Sequence, residues 1–542
     1  MSVPSVLSRE RIVAKPGFNR WTVPPAAVAI HLCIGMAYGF SVFWIPLAQS
    51  IGIDSSVPCA ADTGLIGRLF VRDCDWLVSD VQRTYTLFFI FLGSAAALWG
   101  GWLERAGPRR AGVVAAFCWS GGFFISALGI VLHQLWLIWL GSGVIGGIGL
   151  GLGYISPVST LIKWFPDRRG MATGMAIMGF GGGAMIGAPL GNLLMEHFST
   201  RDSVGVWQTF VVLGIIYFLF MMGGAFGYRI PPPGWRPDDW EPPKDKAHAM
   251  TTNRHVHLKD AHKTKQFWLI WLVLALNVIP GIGVLSMASP MLQEIFGGSL
   301  IGASGVPFDA LSKMQHEAVA TIAAGFAGLL SLFNIAGRFF WASLSDKIGR
   351  KVTYFTFFAL GIALYAAAPP AAHAGSQALF VLFFCVILSM YGGGFATVPA
   401  YLADIFGTQF VGAIHGRLLT AWSVAGVIGP SIVSYIRDGQ IALGVHGTLL
   451  YDLTMYILAG MLAIGFLCNM AIKPVHEKLY MSDKEVAEHQ AKTHAVVAGA
   501  TSSYGIGRGG LDVKAFLAWT VIALPIAWGT WVTLQSAFVL FR

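Results

Sequence analysis

The sequence predicts an all-α polytopic membrane protein: two parallel six-helix bundles plus one extra C-terminal transmembrane helix. Three observations carry that prediction. Of 542 residues, 55% are hydrophobic and 12% charged, whereas soluble chains are about 25% charged. Apolar runs recur along the whole length, each near the ~20 residues that cross a hydrocarbon core about 30 Å thick. The chain also repeats itself. Glu104 and Asp346 close matching charged motifs 242 residues apart, and Tyr154 and Phe395 end matching glycine-rich stretches 241 apart. Phe165 and Phe406 each follow eleven residues later.

The runs fall at residues 22–48, 81–103, 111–132, 136–163, 170–195, 206–228, 266–292, 318–343, 352–370, 378–403, 411–436, 452–472 and 514–540. This divides the chain into a basic tail (1–21), an N-terminal bundle (22–228), a linker (229–265), a C-terminal bundle (266–473), a polar segment (474–513) and the added helix (514–542). The net charge of +9 suits a nucleic-acid partner on its face. Its distribution does not. With the N-terminus in the cytoplasm, 28 of the 36 Lys and Arg fall on the cytoplasmic side, seven on the far side, and Arg338 within a span. That bias sets orientation in the membrane. It predicts a multi-pass inner-membrane protein with its C-terminus outside and no nucleic-acid partner. The first apolar run is too long for a cleaved signal peptide and is expected to stay.

The first helix carries His31 and Tyr38. Tyr38 either offers its hydroxyl to a cavity or is a packed aromatic, and His31 reads first as a satisfied core histidine. The following loop holds Cys59 and Cys74, which can form a disulfide in an oxidising compartment. The other four cysteines lie in spans and read as small apolar residues. No cysteine–histidine spacing suggests a metal or haem, and no cofactor is expected. The second helix ends in a charged motif around Glu104, Arg105, Gly107 and Arg109. The fourth is glycine-rich up to Tyr154, which lets helices approach closely. The glycine run around Phe180 lies in an apolar helix, where no phosphate loop forms. In the seventh, Asn277, Pro280, Gly281 and Gly283 predict a flexible or broken helix.

The eighth helix organises the chain. Arg338 lies eight residues before Asp346, about 12 Å along a helix, and so close to the membrane midplane. A cation there costs a few kcal/mol or more unless it meets a cavity or a partner. By the repeat offset its counterpart is Ala96, so the charge belongs to one half only, which favours a ligand role over the alternative, a structural cation satisfied by helix carbonyls and Asn334. Asp346, Lys347, Gly349 and Arg350 then repeat the charged motif. The tenth helix offers Tyr391 and Phe395 one turn apart, and the eleventh offers Trp422. The thirteenth sits outside the repeat and is expected to be peripheral to transport.

The two charged motifs resemble the signature of the major facilitator superfamily, with Glu104 in place of the usual aspartate. Within it, the blocks around Tyr38, Trp164–Gly183, Pro231–Trp235, Asn334–Arg350 and Tyr391–Gly426 resemble the oxalate/formate antiporter family, which is related to the monocarboxylate porters. The resemblance covers about residues 20–473. It implies the major facilitator fold, alternating access and transport of a small organic anion by a monomer in the lipid bilayer. It also implies that Arg338 binds a substrate carboxylate inside a cage of Tyr38, Tyr154, Tyr391, Phe395 and Trp422. The charged motifs then act as a conformational latch.

Two departures refine this. The oxalate carriers have a lysine where this chain has Trp422, so one buried cation meets one carboxylate and a monocarboxylate is favoured. Proton-coupled relatives have an aspartate where this chain has Asn334, which cannot titrate. Exchange is favoured over proton symport, which would fall to His31 or to the substrate's own proton. A sensor would need a soluble signalling domain, and an enzyme a nucleophile–base pair or metal ligands. The sequence offers neither.

Overall fold

A computed structural model describes residues 5–48, 50–51, 57, 59–60, 63–200, 203–232, 235–237, 252, 254–303, 305–482, 484–486 and 512–541. Much of the expected linker and most of the polar segment after residue 486 lie outside these. Thirteen helices among the described residues are long and apolar enough to cross a membrane. We number them α1 (Val23–Ile34, continuing as a 3₁₀ stretch Gly35–Phe43), α2 (Val78–Ala106), α3 (Pro108–Val131), α4 (Gly147–Trp164, entered through a π turn Trp139–Gly146), α5 (Arg169–Phe198), α6 (Val206–Gly227), α7 (Lys265–Phe296), α8 (Lys313–Ile348), α9 (Arg350–His373), α10 (Gln377–Phe406), α11 (Val411–Leu418 and Thr420–Ala442), α12 (Asp452–Ala471) and α13 (Val513–Ala537).

Packing repeats with a shift of six helices. In the first half α2 packs on α4, α3 on α6 and α1 on α5; in the second α8 packs on α10, α9 on α12 and α7 on α11. The halves meet along two seams, α2–α11 and α5–α8. Both seams are closed by missing side chains. A Cβ on Gly170 would run into the Ala342 carbonyl, and one on Gly174 into that of Arg338. On the other seam a Cβ on Gly416 would strike the Ala96 carbonyl, and one on Gly93 the Ser423 hydroxyl. Backbones meet this closely because lipid provides no hydrophobic drive between helices, so contact area must come from small residues.

Of the two alternatives for the seventh helix, flexible or broken, the break is absent. The helix runs unbroken from Lys265 to Phe296 with Pro280 and Pro290 inside it. Its small residues are contact points instead. Gly281 faces the Tyr391 ring, and Gly283 faces the Gly429 carbonyl. The irregular backbone lies elsewhere. Helix α1 tightens to 3₁₀ at Gly35, where a Cβ would collide with the Phe180 backbone of α5. Helix α11 is interrupted at Leu419, just before Trp422.

α13 lies against α5 and α8 together, and the Trp519 indole donates to the Trp21 carbonyl at 3.2 Å. The added helix thus covers one of the two seams between the halves. At the loop end, Cys59 and Cys74 are joined by a disulfide. Beside it Trp76 stacks on His133 at 4.0 Å, nearly parallel, and the Asp75 carboxylate accepts from the amides of Ile51 and Val57.

Candidate functional site

Arg338 is fully buried. Its Nε donates to Asn334 Oδ1 at 2.9 Å, one turn back on α8, and its Nη1 donates to the Ile177 carbonyl of α5 at 3.2 Å. Its Nη2 has no hydrogen-bond partner among the described residues. None of the ion pairs among those residues includes Arg338. The guanidinium instead lies between two rings, 5.6 Å from Phe180 and 5.5 Å from Phe395. Ring faces attract a cation but leave its net charge in place. A buried cation with an unused donor is costly alone and is relieved by an anion.

The cage forms around Trp422. Its ring lies 5.1 Å from Tyr154, 5.2 Å from Phe180, 4.4 Å from Phe395 and 6.3 Å from Tyr38. The Tyr154 hydroxyl is within reach of the guanidinium. Yet it and the Trp422 indole N–H, like Arg338 Nη2, lack a well-formed hydrogen bond among the described residues. Three buried donors from α4, α8 and α11 therefore converge without a well-formed hydrogen bond among the described residues, the Tyr38 hydroxyl lying within reach of both Arg338 and Trp422. Such groups want an acceptor, and a carboxylate is acceptor-only.

The structure brings Arg338, Tyr38, Tyr154, Tyr391, Phe395 and Trp422 into one cluster that both halves build. Asn334 belongs to it differently: its carbonyl oxygen is spent holding Arg338. Tyr38 and Tyr391 close the cluster on the loop side, their hydroxyls 2.6 Å apart. Above them a cavity of about 210 Å³ opens, lined by Tyr38, Trp44 and Arg83 among others. His31 is buried against Tyr154, ring centroids 5.2 Å apart. Its Nδ1 meets the Ala176 carbonyl and its Nε2 the Tyr154 carbonyl at 3.2 Å.

Sequence reasoning missed Phe180, Phe89 and His415. Phe180 touches His31, Tyr38, Tyr154 and Trp422. The signal was present, since Phe180 is the one bulky residue in Gly179-Phe180-Gly181-Gly182-Gly183. Phe89 packs on Trp422 at 5.5 Å. His415 lies 6.0 Å from Tyr154, with both ring nitrogens lacking a partner among the described residues. Nothing in the spacing separated those two from ordinary core residues.

The two charged motifs lie at the opposite end and differ from each other. Asp346 accepts from the amides of Gly170 and Met171, at 2.9 and 3.0 Å, so the second half caps the first turn of α5 in the first half. Arg350 braces that carboxylate at 2.5 Å and reaches Asp404 at 3.3 Å. Glu104 hydrogen-bonds within its own half, accepting from Ser159 at 3.0 Å and Lys163 at 2.7 Å, and its carboxylate packs against Gly412 of the other. Gly107 and Gly349 make the turns with φ of +88° and +87°, a region open to glycine and strained for other residues. Arg109 is buried. It donates to the carbonyls of Val6, Phe226 and Tyr228, tying the N-terminal tail to the end of α6. Arg105 and Lys347 are exposed.

Comparison with known proteins agrees with this fold. The family model described as Major Facilitator Superfamily matches residues 30–430 and 326–541. Among curated relatives, the oxalate:formate antiporter of Oxalobacter formigenes is 23% identical over 472 residues, covering 87% of this chain and 97% of that protein. The apicoplast pyruvate carrier 1 of Toxoplasma gondii is 24% identical, covering 86% and 92%. Monocarboxylate transporter 12 of Rattus norvegicus is 26% identical over 62% of this chain and 66% of its own. Among solved structures, the transporter FucP in its outward conformation aligns with a TM-score of 0.56 at 13% identity, covering 83% of this chain and 99% of that one. The proton:xylose symporter XylE aligns with a TM-score of 0.55 at 14% identity, covering 84% and 95%. From the doubled packing of six helices and the family match along nearly its whole length, the chain is a member of the Major Facilitator Superfamily.

Proposed function

We propose that this protein is a secondary active transporter of small organic anions, with a monocarboxylate as its principal substrate, working by alternating access and exchange. The observation that carries the proposal is Arg338: a fully buried guanidinium with no carboxylate partner and no well-formed bond at Nη2 among the described residues, ringed by the hydroxyls of Tyr38 and Tyr154 and the indole of Trp422. A carboxylate oxygen placed there would take the free N–H and neutralise the charge in a water-poor site, where that pairing is strong. One cation suits one carboxylate. The relatives named for oxalate and formate, pyruvate and monocarboxylates support the same substrate class.

The charge bias of the loops supports an inner-membrane chain with the motif end in the cytoplasm. On that orientation the cavity above Tyr38 faces outward, and the Asp346–α5 contact holds the inner end shut. Both halves supply the cage and one chain suffices to build it, so a monomer is the working unit.

A second reading, proton-linked monocarboxylate symport, has one observation in its favour. Both ring nitrogens of His31 face carbonyl oxygens. A neutral imidazole has one N–H and satisfies one of them, whereas an imidazolium satisfies both. Purified protein in liposomes separates the readings. Labelled formate, pyruvate, lactate or oxalate is offered outside, with and without unlabelled anion inside and with and without a pH gradient. Exchange predicts entry that requires internal anion and ignores the gradient. Entry into empty vesicles, driven by the gradient, would replace exchange with symport.

A further inference from the structure

The cavity above the Tyr38–Tyr391 pair has a composition of its own. Arg83, at the first turn of the membrane-crossing part of α2, is on its wall and is 46% exposed. Arg83 is paired with Asp80 at 3.5 Å, but that carboxylate is fully buried and already held by Arg68 at 2.5 Å. Two arginines share one acid, so the cluster carries a net positive charge. The remaining polar lining is neutral: Thr86, Ser286, Ser431 and Ser434, with no acid among the described lining residues. Apolar walls, including Trp44 and Leu285, keep the dielectric low, and a cleft lined by one sign of charge concentrates ions of the other. A volume of about 210 Å³ is below the 300–1,000 Å³ of pockets for drug-sized ligands and suits a smaller one.

We propose that this vestibule is a second anion-binding site, a capture station for small carboxylates in which Arg83 is the cation. The proposal rests on the reading of the chain as an organic-anion transporter and adds a stage to it. An anion first pairs with Arg83 in contact with water. It then passes the Tyr38–Tyr391 pair to reach Arg338. The two sites differ in kind. Arg338 is dry and has an unused donor, so it selects. Arg83 is half in water and keeps an acid beside it, so it binds weakly, exchanges quickly and raises the local concentration at the lid. Exposed charges are screened by salt, so capture should weaken as ionic strength rises.

The test places a reporter in the vestibule. Ser431→Cys is introduced into the full chain, with Ser434→Cys as a second reporter should the first fail to fold. Its labelling by an anionic and by a cationic thiosulfonate of similar size is then compared in liposomes. With Arg83 present the anionic reagent should be favoured. Arg83→Gln should lower the ratio of anionic to cationic rates at least fivefold, and Arg83→Lys should restore most of it. Millimolar sodium formate or oxalate should slow labelling, including in an Arg338→Gln background that cannot load the inner site. A ratio indifferent to Arg83, or no protection by either anion in that background, overturns the proposal. These readouts need no transport. If no carboxylate is exchanged yet protection depends on Arg83, the outer site stands and the transport reading fails. If exchange is normal and labelling is indifferent to Arg83, the outer site alone fails.

Discussion

The hydroxyls of Tyr38 and Tyr391 meet at 2.6 Å, and this single hydrogen bond joins the two halves directly over the buried Arg338. Tyr38 also lines the vestibule, while Tyr391 is 1% exposed. The pair therefore marks the boundary between the water-filled side and the cage.

The two tyrosines share this bond, and Tyr38 also lies within reach of Arg338 and Trp422, so removing Tyr391's hydroxyl should add nothing to the loss of Tyr38's. A hydrogen bond of this kind contributes about 0.5–1.5 kcal/mol net, roughly a two- to tenfold effect on the occluded state that each transport cycle must pass through. Tyr391→Phe should slow exchange by that factor, Tyr38→Phe by at least as much, and the double variant should be no slower than Tyr38→Phe alone. Exchange rates in liposomes check this. Multiplying effects would mean the hydroxyls act separately.

The charged motifs should be unequal. Asp346 crosses between halves to the amides of Gly170 and Met171, whereas Glu104 bonds inside its own half. Bonds to a charged acceptor contribute about 1.5–3 kcal/mol, and a helix N-terminus favours the negative charge further. Asp346→Asn should reduce exchange about tenfold or more. Glu104→Gln should cost less than about fivefold, because its Lys163 partner is 30% exposed and such pairs are weak. Equal losses would show that the asymmetry is without consequence.

Glycine substitutions should divide by seam. A Cβ at Gly170 collides with the Ala342 backbone, while one at Gly121 meets nothing within 4 Å. Overpacking costs about 1–3 kcal/mol, so Gly170→Val should slow exchange about five- to a hundredfold with unchanged membrane insertion. Gly121→Val should behave as wild type. A slow Gly121→Val with a normal Gly170→Val would remove the seam from the mechanism.

The loop end should be acid-sensitive. His133 lies between α3 and α4, and burial holds its pKa below the usual 6.5, opposed by its bond to the Cys74 carbonyl and by the charges of Asp75 and Asp73. A histidine with a lowered folded pKa stays neutral where the unfolded chain takes up a proton. Its stability contribution is therefore full above about pH 6.5 and declines as pH falls below it. Thermal unfolding followed from pH 7.5 to 5 should show a falling midpoint. His133→Asn should flatten that dependence. An unchanged slope would place the sensitivity elsewhere.

Much of the fold was legible because apolar length is a strong signal in a membrane chain. The thirteen runs, the six-helix repeat and the isolated charge at Arg338 all follow from residue type and spacing. What was not legible depends on who packs against whom. Asn277, Pro280, Gly281 and Gly283 suggest a flexible or broken α7; the helix is unbroken, and its glycines admit Tyr391 and the Gly429 backbone. The real irregularities, at Gly35 and Leu419, follow from close approach by a neighbouring helix or from the local turn, which spacing does not encode. Phe180 was read as part of a glycine run and not as the ring that run delivers to Arg338. Lying outside the repeat, α13 reads as peripheral to transport; where it packs, on the α5–α8 seam, only the folded chain shows.

The central claim is that Arg338 receives the substrate carboxylate. It is tested most directly by anion-induced thermal stabilisation of purified wild type and of Arg338→Gln, with formate, lactate, pyruvate and oxalate as ligands. The account predicts a concentration-dependent rise in the unfolding midpoint of wild type with at least one monocarboxylate, and its loss in a folded, membrane-inserted Arg338→Gln that no longer exchanges anions. Full stabilisation and normal exchange in that variant would contradict it.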